Sequence, residues 1–114
     1  MIKIIKDSVG IEGASVILKG KIRRILSIQD QNYRGPVCWY EVDDDLDYIE
    51  VRVISVGTGW ELPKELKYWQ FIDTVQDNNG YVWHYYHEPF VTNNGHKDLF
   101  EEMFGSFSFG KKEK

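Results

Sequence analysis

With 114 residues, 42% of them hydrophobic and 28% charged, the chain has the size and balance of one globular domain, which argues against disorder and against two ordinary domains. The net charge of −4 is uneven: residues 1–35 hold seven basic and three acidic residues, residues 36–110 hold four and fourteen, and the tail Lys111–Lys114 holds three and one. Nucleic-acid binders need a clustered excess of Lys and Arg, so an acidic body with a basic edge argues against that class.

Period-2 alternation of apolar and polar residues runs from the start to about residue 90 and predicts strands. Met1 to Lys6 reads as the first. A turn between Gly10 and Gly13 leads to a second strand, Ala14 to Leu18, that ends at Gly20. Residues 21–30 form a third, with Ile22, Arg24, Leu26 and Ile28 expected on one face. Turn formers over 30–36 break the pattern. Val37 to Val42 is a short apolar strand, and the acidic run Asp43, Asp44, Asp45, Asp47 is a loop. Tyr48 to Val56 alternates cleanly and stops at Gly57-Thr58-Gly59. Residues 60–66 connect, with one helical turn. Tyr68 to Val75 and Tyr81 to Glu88 form a hairpin around Asn79-Gly80, because both turn residues accept positive φ.

After Pro89 the pattern changes. Leu99/Met103 and Phe100/Phe104 sit at i, i+4 spacing, so a short amphipathic helix is expected over about 97–104, followed by a frayed tail. The predicted organisation is an antiparallel β domain over 1–90 and a C-terminal extension over 91–114. The fold class is mostly β: an antiparallel sandwich or small barrel of about seven strands with a short C-terminal helix.

Sites of chemistry fail on spacing. His84 and His87 lie three apart in a strand and point to opposite faces, so they cannot share an ion. Counted from Asp43 or Asp45, the acidic run lacks the Gly and Glu of a calcium loop. Gly57-Thr58-Gly59 is not followed by the Lys and Ser/Thr of a phosphate cradle. There is no Gly-x-Ser-x-Gly, and the single Cys38 lies in an apolar stretch, where it reads as a small buried hydrophobe. No enzyme activity, metal or cofactor is expected. No apolar run reaches the roughly 20 residues of a membrane helix. The N-terminal segment lacks the apolar stretch of a signal peptide, so a cytoplasmic protein is expected.

Aromatic residues make up 15% of the chain and concentrate in residues 68–90. Tyr81, Trp83 and Tyr85 share one face of their strand, and in the first strand of the hairpin Trp69 and Phe71 lie opposite Tyr68. Tyr and Trp suit surfaces where one end of the ring is buried and the other wet, so Trp69, Tyr81, Trp83 and Tyr85 either pack into the core or form the first candidate partner-binding surface. The acidic loop Asp43, Asp44 and Asp45 is the second. Phe100 and Phe104 are the third, either closing the fold or entering a partner's groove.

The motifs KIRRILSIQDQ, GPVCWYEVDDD, VRVISVGTGWELP and FIDTVQ…GYVWHYYHE, in that order, resemble a family of small uncharacterised phage and prophage β-domain proteins over residues 1–88. The resemblance carries no catalytic role onto Trp39, Gly57, Gly59, Trp83 or His84. It implies phage origin and expression in a bacterial host. The expected function is a non-enzymatic accessory protein that binds or inhibits a host protein. The alternatives are a β protein that sequesters a nucleotide signal of host defence, with Arg23, Arg24 or Arg52 holding phosphate, and a minor virion component. A homo-oligomer would also cover an aromatic face.

Overall fold

The computed structural model describes residues 1–31 and 35–90. Among these the chain forms β1 (Ile2–Ser8), β2 (Ser15–Gly20), β3 (Ile22–Asp30), β4 (Pro36–Asp43), β5 (Ile49–Gly57), a 3-10 helix over Lys64–Tyr68, β6 (Gln70–Gln76) and β7 (Val82–His87). The seven strands make two antiparallel sheets, ordered β1-β4-β3 and β2-β5-β7-β6. The mostly-β class read from the alternation is the observed one.

β5 shows why alternation suffices. Ile49, Val51 and Val53 are at most 4% exposed, while Glu50 and Arg52 between them face solvent. Each fully buried aliphatic side chain contributes about 1.5–3 kcal/mol, so a one-residue slip that exposed all three would cost an amount comparable to the whole stability of a small domain. Both sheets feed one core. Tyr40 from β4 and Tyr85 from β7, at 1% and 0% exposed, are its largest fully buried members.

The sheets meet along β3 and β6, where the Asp73 carboxylate accepts from the Ile28 N–H at 3.1 Å. On the opposite flank, β1 and β2 border an open groove of about 510 Å³ lined by Asp7, Ser8 and β2 from Val16 to Lys19. β5 and β6 run in the same direction with β7 between them, so the chain must travel back the length of the sheet. Residues 58–69 make that return, with Leu66 buried at 3% exposure.

Three sequence expectations change. β3 does not alternate simply, because irregularities at Arg23 and Leu26 each add a residue against β4. The apolar spacing becomes three: Ile22, Ile25 and Ile28 pack inward, while Arg24 and Leu26 are exposed. The Asn79-Gly80 hairpin has only Gly80 at positive φ, +89°. The Gly80 N–H donates to the Asp77 carbonyl at 3.0 Å and the Asp77 N–H to the Tyr81 carbonyl at 2.8 Å, the pattern of a type I turn followed by a glycine bulge. Tyr68, expected to open a strand, ends the 3-10 helix instead. The helix expected over 97–104, with Phe100 and Phe104, lies outside the described residues.

Candidate functional site

The register places two ends of the molecule far apart. At one end lie the 9–14 turn, the end of β5 and the β6–β7 hairpin, tied by pairing of Gly57 with Trp83 and Gln76 with Val82. At the other lie the β4–β5 loop and the β2–β3 turn, where the Asp43 N–H donates to the Lys21 carbonyl at 2.9 Å.

The first end is aromatic. β5 terminates in a turn in which the Trp60 N–H donates to the Gly57 carbonyl at 3.2 Å and Gly59 takes a φ of +87°. This folds the Trp60 ring back onto the strand end. A Cβ on Gly57 would come within 2.6 Å of that ring, so only glycine lets it seat. Trp60 then meets Trp83 edge-on, with centroids 5.6 Å apart and planes at 80°, and Tyr81 lies against the same indole at 6.5 Å.

Asp77 fixes the arrangement from below. Its Oδ1 accepts the N–H groups of Asn79 and Tyr81 at 2.9 and 3.0 Å, and its Oδ2 accepts Trp83 Nε1 at 2.9 Å. The indole donor, with the backbone donors, holds this carboxyl below its ordinary value. The result is a buried indole, 6% exposed, carrying two rings that are half or more in solvent: Trp60 at 51% and Tyr81 at 63%.

The acidic end is built differently. The Asp45 N–H donates to Asp43 Oδ1 at 3.1 Å, which shapes the turn. The N-terminal ammonium lies 3.8 and 3.7 Å from Asp43 and Asp44, and Lys21 Nζ donates to the Asp44 carbonyl at 3.1 Å. These contacts are at the surface, where an ion pair contributes at most about 1 kcal/mol.

A third cluster arises from the β3 irregularity. Consecutive strand residues ordinarily point to opposite faces, yet Arg23 and Arg24 both reach Glu41, Arg24 with Nε at 3.0 Å and Nη2 at 3.2 Å. Arg24 and Arg23 hold the Glu41 carboxyl below its usual range. The guanidinium groups thus neutralise a largely buried carboxylate. On the same sheet Lys6 Nζ lies 5.1 Å over the Trp39 ring.

His84 and His87 are engaged in the fold. Thr58 Oγ1 lies 2.7 Å from His84 Nε2 and Thr74 Oγ1 lies 2.9 Å from Nδ1, while burial lowers His87. Among the described residues, no group of three or more His, Cys, Asp or Glu side chains is placed to hold a metal, and no helix is long and apolar enough to cross a membrane. Burial pushes the Cys38 thiol up to about 12, far from the range of a reactive thiolate.

The structure therefore divides the residues picked from sequence. Tyr81 is exposed at the aromatic end. Trp83 and Tyr85 are core: Trp83 is the floor of that end, and Tyr85 donates its hydroxyl to the Gly10 carbonyl at 2.7 Å. Alternation put all three on one face, and that face is the inner one, so only the residue beyond the strand end reaches solvent. Trp69 is half-buried and closes the 3-10 helix, its N–H donating to the Leu66 carbonyl at 3.1 Å. Asp43, Asp44 and Asp45 stand together at the other end. The residue that sequence reasoning missed is Trp60. Its signal was the adjoining Gly57-Thr58-Gly59, since a glycine pair just before a large ring marks a backbone approached closely by that ring.

No curated protein and no solved structure matches the chain. A family model does, over residues 1–95, spanning the seven described strands and both ends: the chain belongs to the domain of unknown function DUF7352.

Proposed function

We propose that this protein is a non-enzymatic binding protein that engages a bacterial host protein through the aromatic end formed by Trp60 and Tyr81. One observation carries the reading: two large rings are displayed to solvent while their positions are set by a buried indole and a hydrogen-bonded hairpin. Rigid, half-exposed Trp and Tyr are the residues that dominate binding energy at interfaces, because ordering them on association costs little. The layered packing of two sheets, read as a β-sandwich, supports this by giving the hairpin a stiff base. The resemblance of its motif order to that of small phage proteins is what suggests a host protein as partner and the bacterial cytoplasm as the place of action.

The test is affinity purification from expressing bacteria, followed by reconstitution with the purified partner. A stoichiometric host protein is expected with the wild type. It should be lost with Trp60→Ala/Tyr81→Ala at unchanged circular dichroism. Absence of any stoichiometric partner at low salt, or equal binding by the double variant, refutes the reading.

A further inference from the structure

We propose that β1 is a self-pairing edge, through which two copies of this chain join into one continuous six-stranded sheet. All seven residues of β1 are exposed, with Ile2, Ile4 and Ile5 at 50, 59 and 38%. Among the described residues the strand pairs with β4 alone, and its far side looks onto the open groove toward β2. A long apolar edge of this kind is a template for another strand.

Backbone parity decides which groups are offered. The Val9 N–H donates to the Pro36 carbonyl at 3.1 Å, and the Asp43 N–H donates away from β1 to the Lys21 carbonyl. Hydrogen-bonding residues alternate in an antiparallel ladder. With Lys3 opposite Val42, Ile5 opposite Tyr40 and Asp7 opposite Cys38, residues 3, 5 and 7 therefore turn their N–H and C=O toward β4. Residues 2, 4, 6 and 8 turn theirs outward.

A two-fold partner must then match even residues with even residues. Centred on Ile4, the pairing sets Lys3 against Ile5 and Lys6 against Ile2, so no lysine meets a carboxylate. Centred on Lys6, it sets Lys6 against Lys6. Centred on Ile5, it bonds Ile2 with Ser8 and Ile4 with Lys6, and so uses all four outward residues of each copy. The same register places Lys3 of each copy opposite Asp7 of the other, and Ile5 opposite Ile5. These are non-hydrogen-bonded positions, where side chains approach most closely. The Tyr40 hydroxyl donates to Asp7 and fixes that end of the charge pair. Lysines on an edge ordinarily discourage pairing; here they select one alignment out of three. The contact is isologous and closes as a dimer.

Sedimentation velocity of the full chain across a wide concentration range tests this. The expected result is a dimer that dissociates on dilution. Ile4→Pro removes an outward N–H, a change an edge strand tolerates, and should raise the dimer dissociation constant about a hundredfold or more with the fold kept. Lys3→Glu should weaken the dimer about tenfold, and adding Asp7→Lys should restore it. If Ile4→Pro fails to fold, the charge-swap pair decides alone. A wild type monomeric at every concentration overturns the proposal. So does a dimer that survives Lys3→Glu, or a double variant no tighter than the single one.

Discussion

The two ends of this molecule carry its most conspicuous residues, aromatic at one and acidic at the other, yet they are held in different ways. At the aromatic end every displayed ring rests on something buried: Trp60 on the Gly57 backbone and Trp83, and Tyr81 on Trp83, with Asp77 bonding the hairpin beneath. At the acidic end the carboxylates contact surface cations and their own turn. Composition alone ranks the two equally as partner surfaces. Packing separates them, because only the first presents its groups in a geometry fixed before any partner arrives.

The largest expected effect would break the aromatic end from within. Trp83→Ala removes the floor of the site and leaves Asp77 without its indole donor. It should cost about 3–5 kcal/mol in denaturant unfolding, with binding lost as well. Alkaline pH tests whether the two ends share one cooperative interior. Cys38, Tyr40 and Tyr85, between them, have their proton affinities raised chiefly by burial, Cys38 from 9.0 to about 12. A group raised in the folded state stabilises fully below its unfolded value and loses that contribution as pH climbs to the folded one. Stability should therefore fall between pH 9 and about 12, with Cys38 alone accounting for a loss on the order of 4 kcal/mol. Tryptophan fluorescence and far-UV circular dichroism should report coincident transitions.

Gly57→Ala is more selective. Its Cβ would collide with the Trp60 ring, so the ring must leave its seat. A destabilisation of about 1–3 kcal/mol is expected, with Trp60 emission shifted to the red. The smallest effect belongs to the acidic end. Replacing Asp43, Asp44 and Asp45 by Asn should change stability by no more than about 1 kcal/mol, because Asp44 and Asp45 are exposed and Asn at 43 keeps the oxygen that accepts the Asp45 N–H. If those charges steer the partner, the triple variant should associate more slowly and with a flatter salt dependence, its dissociation rate unchanged.

Much of the fold was legible because period-2 alternation is a direct image of a half-buried strand, as Ile49, Val51 and Val53 demonstrate. The failures have local causes. In β3 the irregularities at Arg23 and Leu26 turned a period of two into a spacing of three, and nothing in the composition of that stretch announces a bulge. At the hairpin, Asn79-Gly80 marked the turn but not its type, which Asp77 determines by accepting N–H groups from Asn79 and Tyr81. The candidate site was half legible. Tyr81 and Trp83 were correctly grouped on one face, but which face is inner depends on the opposing sheet. Trp60 joins them only because β5 and the hairpin end at the same level, a long-range fact of register.

Binding is proposed to reside in the preorganised aromatic end. The most direct test is quantitative capture of the host partner by three purified chains: the wild type, Trp60→Ala/Tyr81→Ala, and the Asn triple variant of Asp43, Asp44 and Asp45. Stoichiometric capture is expected with the wild type and the Asn variant and none with the aromatic variant. Capture that survives loss of both rings but fails with the Asn variant would contradict this and move the site to the acidic end.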